Sequence, residues 1–144
     1  MTTPSSYRNQ NLWVPSSFRD EFIVPIDTLV SQTNPRAAFS RQIDLWWHAI
    51  GLGVDAGHRT PLPTPIRPAM VNFIDADTLE SDPWRIAHLE LLVLGEQGVE
   101  AALNPSSVIT TANEYALTGF GLLERELRPQ VDLQVHLFSL IETA

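Results

Sequence analysis

Asp44 and His48 stand four residues apart in the stretch DLWWHAIGLG, residues 44–53. On a helix that spacing puts both on one face, where a carboxylate can orient an imidazole as a general base. The sequence supplies no third partner and no nucleophile beside them, so the pair is expected to be a local contact at the rim of the core. His58, His88 and His136 complete the histidines. None belongs to an HExxH pattern, and His88 and Glu90 fall on different faces of a helix.

The acidic run DADTLESD holds Asp75, Asp77, Glu80 and Asp82. It departs from a calcium loop where Leu79 takes the third ligand position and no glycine stands at the sixth. The run reads as a solvated loop leading into a capped helix. There is no GxSxG elbow, no phosphate-cradling GxxxxGK[ST] and no dinucleotide fingerprint. Cysteine is absent, which removes disulfides, thiolate nucleophiles and cysteine-type zinc sites. No cofactor and no metal are expected, and the sequence points away from an enzyme. An active site centred on Asp44 and His48, or on His88 with a distant carboxylate, ranks behind two binding roles.

The 144 residues fit one domain able to bury a sizeable core, and 44% of them are hydrophobic. The N-terminal MTTPSSYRNQ is polar and lacks the apolar centre of a signal peptide. No run approaches the length of a membrane span. A cytoplasmic protein is expected. All nine basic residues are arginines, a bias that GC-rich coding explains. Charge is uneven. Residues 1–70 hold six arginines against five acids, and residues 71–144 hold three against twelve, a net of −9. The acidic half repels phosphate, so only Arg36, Arg41, Arg59 and Arg67 in the N-terminal half are candidates to meet nucleic acid.

Three Asx-Pro pairs punctuate the chain: Asn34-Pro35, Asp82-Pro83 and Asn104-Pro105. Asn or Asp caps an orphan backbone N–H, and Pro at the first helical position gives up a donor that has no partner there. They predict helices from about Pro35 to Val54, Pro83 to Leu94 and Pro105 to Leu127. Gly57, Gly95 with Gly98, and Pro129 are the expected stops. Ile86, Leu89, Leu92 and Val93 form the predicted buried stripe of the second helix. VEAAL reads as a short helical turn before the third. Gly51, Gly53, Gly119 and Gly121 suggest close helix crossings. EFIVPIDTLV and AMVNFI read as short extended segments, with Pro25 confining the first to an edge. VDLQVHLFSL, residues 131–140, fits either a strand or a final helix, with helix preferred. The fold class is mainly α: three principal helices, a proline-rich connector and one or two short extended segments. Residues 1–33 are assigned to an N-terminal extended arm and 34–144 to a single helical domain.

Trp46 and Trp47 point about 100° apart on a helix, so one faces the core and the other a rim or an interface. HRTPLPTPIRPA holds Pro61, Pro63, Pro65 and Pro68 and reads as an extended strap that can also serve as a docking strand. Trp46, Trp47, Pro61, Pro63 and Pro65 are therefore the candidate interface residues. The strand-like FIVPI, residues 22–26, followed by an Arg-bearing helix, resembles small helical DNA-binding accessory subunits over a short stretch. It carries no diagnostic motif, and no residue roles follow from it. The leading expectation is a non-catalytic subunit that docks on a protein partner in a larger cytoplasmic assembly or forms a homo-oligomer. The alternative is a nucleic-acid-associated accessory protein, for example in a prokaryotic DNA-processing or defence complex. No membrane partner is expected.

Overall fold

The computed structural model describes residues 7, 10–23 and 29–143, with side chains undescribed at 73–77, 130–136, 138, 139 and 141–143. The fold is mainly α with one small sheet. In chain order it runs β1 (Asn11–Pro15), a helical turn α1 (Ser16–Phe18) continued by a π-helical segment (Arg19–Ile23), α2 (Gln42–Ala56), β2 (Met70–Asp75), a 3₁₀ segment (Ala76–Ser81), α3 (Pro83–Gln97), α4 (Val99–Ala102) and α5 (Pro105–Thr143). Among the described residues no helix is long and apolar enough to cross a membrane.

The core forms where α2 crosses α5. Leu45, Trp46, Ala49 and Ile50 of α2 meet Val108, Ile109, Ala112, Ala116 and Phe120 of α5, all buried. Two glycines let the backbones touch. A Cβ at Gly53 would stand 2.1 Å from the Tyr115 carbonyl oxygen, and one at Gly119 would stand 1.7 Å from that of Ala49. The expectation of close crossings holds at these two positions. Gly51 and Gly121 have open space instead.

The sheet closes one side of this core. β1 and β2 pair antiparallel, from Asn11 opposite Asp75 to Pro15 opposite Met70, with a register shift between Leu12 and Trp13. Leu12 and Val14 alternate into the core. The buried Asn113 of α5 serves β1 as a surrogate strand. Its Oδ1 accepts from the Trp13 N–H at 2.9 Å, and its Nδ2 donates to the Asn11 carbonyl at 2.8 Å. Phe18 and Phe22 follow into the core, where Phe18 packs on Phe120 with ring centres 4.9 Å apart. Residues 11–23, expected to lie in an extended arm, form a strand and helical turns that put Leu12, Val14, Phe18 and Phe22 in the core.

Several boundaries differ from expectation. Asn34-Pro35 does not open a helix. Asn34 Oδ1 accepts from the Arg36 N–H and the Asn34 carbonyl from the Ala37 N–H, closing a turn. The helix is delayed because Phe39 bridges Val30, with bonds to the Leu29 carbonyl and from the Ser31 N–H, and that extended pairing excludes helical backbone. Its C-terminus ends as expected at Gly57, which adopts φ +80°. α3 starts at Pro83 as expected but runs through Gly95 and ends at Gly98, at φ +99°. α5 starts at Pro105, with Asn104 Oδ1 accepting from the Ser106 N–H. It passes through Pro129 instead of stopping there, and residues 131–140 continue the helix. Pro129 removes one ladder bond, and the Leu- and Gln-bearing sequence beyond it resumes the helix. AMVNFI forms β2. Of EFIVPIDTLV, Glu21–Ile23 is helical, Val30 makes an isolated bridge, and Pro25 lies outside the described residues.

Candidate functional site

α2 and α3 are joined by an ionic cluster beneath an aromatic cap. Arg85, only 6% exposed, donates from Nη2 to Asp44 Oδ1 at 2.6 Å. Arg41 donates to both oxygens of Asp44, at 3.3 and 3.4 Å. Asp82, the expected N-cap of α3, makes no side-chain cap; its carboxylate lies 3.6 Å from Arg41 and 3.9 Å from Arg85. Burial raises the Asp44 carboxyl, but the hydrogen bonds and charges of Arg85 and Arg41 outweigh it and hold it below the usual aspartate range. The Arg85 guanidinium stacks over Trp47 at 5.3 Å and Trp84 at 4.9 Å, and these two rings meet edge to face.

This geometry redirects the sequence-predicted pair. Asp44 turns to the two arginines, while His48 is exposed and lies against Phe39 with ring centres 5.5 Å apart. The anticipated Asp44–His48 contact is replaced because a buried guanidinium needs a carboxylate far more than an exposed imidazole does. His58 is exposed, and His88 donates from Nδ1 to the Trp84 carbonyl at 2.7 Å. The side chains of His136, Asp75 and Asp77 lie outside the described residues, and residues 76–81 of the acidic run form the 3₁₀ segment. Among the described residues no group of three or more His, Asp or Glu is placed to hold a metal ion.

Trp46 is fully buried and Trp47 half-buried at the rim, where Trp84 and His88 lean on it. The strap carrying Pro61, Pro63 and Pro65 is pinned rather than free. Thr60 bonds Glu114 through its N–H and Thr118 through its hydroxyl, and Ser16 donates to the Pro68 carbonyl at 2.6 Å. Pro61 and Pro65 are exposed and Pro63 is half-buried. The four N-terminal arginines are brought to separate places. Arg41 stands just before the N-terminus of α2 and Arg59 just beyond its C-terminus, at opposite ends of a helix about 22 Å long. Arg41 joins the ionic cluster, Arg59 pairs with Glu96 and Glu114 at 2.7 and 2.8 Å, and Arg67 stacks on Trp13 at 5.4 Å. Arg36 is exposed.

A second apolar face emerges on α3, beyond the stripe predicted from its sequence. Its buried stripe is Arg85, Leu89 and Val93. Around the helix, Trp84, Ala87, Leu91 and Leu94 follow three- and four-residue steps on the opposite side, facing solvent. Leu91 is 65% exposed, and beyond Gly98 the face continues through Val99 at 61% and Leu103 at 77%. Together with Glu90 and Ala102 they line an open groove of about 470 Å³ between α3 and α4. Glu90 is fixed at its edge by the Tyr7 hydroxyl, 3.1 Å away. Burial, then the Glu90 charge and hydrogen bond, raise the Tyr7 phenol far above its ordinary value. The signal was present in WRIAHLELLVLG, which carries more large apolar residues than one buried stripe can use. On the other flank of α3, Trp47, Ile50, Val54, His88 and Leu92 line a smaller hollow of about 240 Å³.

Comparison with known proteins finds no match among family models, curated proteins or solved structures.

Proposed function

We propose that this protein is a non-catalytic interaction subunit that docks on a protein partner within a larger cytoplasmic assembly. One observation carries the reading: the contiguous face of Leu91, Leu94, Val99 and Leu103, which stands 41–77% exposed. Scattered exposed leucines are ordinary, but a continuous apolar face lining a groove marks a docking site. Trp84, half exposed at the start of α3, adds aromatic area of the kind that dominates binding energy. The absence of cysteine fits a reducing compartment. A nucleic-acid role has less support, because Arg41, Arg59 and Arg67 are already engaged with acids or an aromatic ring.

The test is purification of the tagged full chain from its native host, beside the double variant Leu91→Gln and Leu103→Gln. Glutamine keeps helix propensity and adds no charge. Wild type is expected to co-elute with a stoichiometric protein that the variant loses, with unchanged circular dichroism. A partner retained by the variant, or a wild type that elutes alone, overturns the reading.

A further inference from the structure

We propose that the groove between α3 and α4 receives an amphipathic helix of a different protein, with arginine or lysine flanking its apolar stripe. This rests on the docking role argued above and names the partner's chemistry.

The groove is built of side chains on two helices whose backbones bond internally. It offers no open backbone edge for strand addition. An extended peptide lying there would bury N–H and C=O groups without partners, whereas a helix satisfies its own. The ridges also suit a helix. Leu91 and Leu94 are three apart, and Val99 and Leu103 are four apart, the spacings that interdigitate with a facing helix.

Charge decides against a second copy. Glu90 lies in the groove wall, held by Tyr7, and the exposed Glu100 follows Val99 directly. Arg85, the basic residue of α3, is buried on the far face against Asp44. A second copy would bring the same Glu90-bearing wall against this one, in a half of the chain already at net −9. Like charges facing each other disfavour the pairing, and cationic flanks complement it.

The test uses the full chain and two synthetic helical peptides that share one leucine stripe and differ only in their flanks, arginine in one and glutamate in the other. Fluorescence anisotropy at low salt should show the arginine peptide binding about ten-fold tighter or better, with the advantage shrinking as salt rises. Glu100→Lys should reduce that ratio, and Leu91→Gln with Leu103→Gln should abolish binding of both. Equal binding of the two peptides, lost in the leucine variant, leaves the docking surface standing and overturns the cationic partner. Binding of neither peptide, or binding indifferent to the leucine variant, overturns both. Concentration-dependent dimerisation that the leucine variant removes assigns the face to a second copy and overturns the inference.

Discussion

Gly119 of α5 sits directly on the carbonyl of Ala49 of α2, so close that the smallest side chain would fall 1.7 Å from that oxygen. The crossing sets the position of everything else. It buries Trp46, aims Asp44 and Trp47 towards α3, and leaves α3 to present its other side to solvent.

Gly119→Ala should therefore force the helices apart and destabilise the protein by about 3 kcal/mol or more. Gly121→Ala, two residues on with open space around it, should stabilise by about 0.5–1 kcal/mol through helix propensity. Urea unfolding of the two variants checks the contrast. Equal effects would mean that the backbones do not touch.

The contrast shows where sequence reasoning reaches its limit. Glycines in helix patterns announced a crossing, yet nothing in the local sequence separates Gly119 from Gly121; only the partner helix does. The divergence of Trp46 and Trp47 was legible because it follows from helix geometry. Asn34-Pro35 misled because the tertiary bridge of Phe39 to Val30 overrides a good local helix signal. β1 was missed because its partners, β2 and the Asn113 side chain, lie about sixty and a hundred residues away in sequence. Asp44 was expected to pair with His48 on its own helix, but its partners are Arg85 from another helix and Arg41 just before α2. The α3–α4 face was written in the surplus leucines of residues 84–95, and it becomes readable once Leu89 and Val93 are known to point inward.

Asp44→Ala should cost about 3 kcal/mol, because it strips the buried Arg85 of its nearest carboxylate. The pH dependence follows from the lowered Asp44 carboxyl. Its stabilising contribution is present above the unfolded value of about 3.9 and is lost as pH falls through the lower folded value. Asp44→Asn should remove that part of the acid sensitivity. Guanidinium unfolding between neutral and strongly acid pH measures it, and an unchanged acid slope in the variant would contradict the assignment.

The two tyrosines should resist ionisation. Tyr7 is raised chiefly by burial and Tyr115 chiefly by its 2.5 Å hydrogen bond to Glu96, against a small opposing pull from Arg59. Both contribute stability that is present below the unfolded value of about 10 and is lost as pH rises through the raised folded values. Phenolate absorbance near 295 nm should rise at higher pH in the folded protein than in the denatured chain. A reversible transition at pH 10 with intact circular dichroism would show that one phenol is free.

Replacing Leu91 and Leu103 by glutamine should leave unfolding stability within about 0.5 kcal/mol, since both side chains are mostly in water in the isolated chain. Thermal and urea melts of the double variant check this. A loss of several kcal/mol would show that the face supports the fold itself rather than a partner.

The most direct test of the docking face is carbene footprinting of the tagged protein alone and of its native-host complex. Leu91, Leu94, Val99 and Leu103 should lose labelling in the complex, while exposed residues elsewhere, such as His58 and Arg125, keep it. Undiminished labelling of the α3–α4 face, with protection moved to the Pro61–Pro65 strap or the arginines of the N-terminal half, would contradict the account.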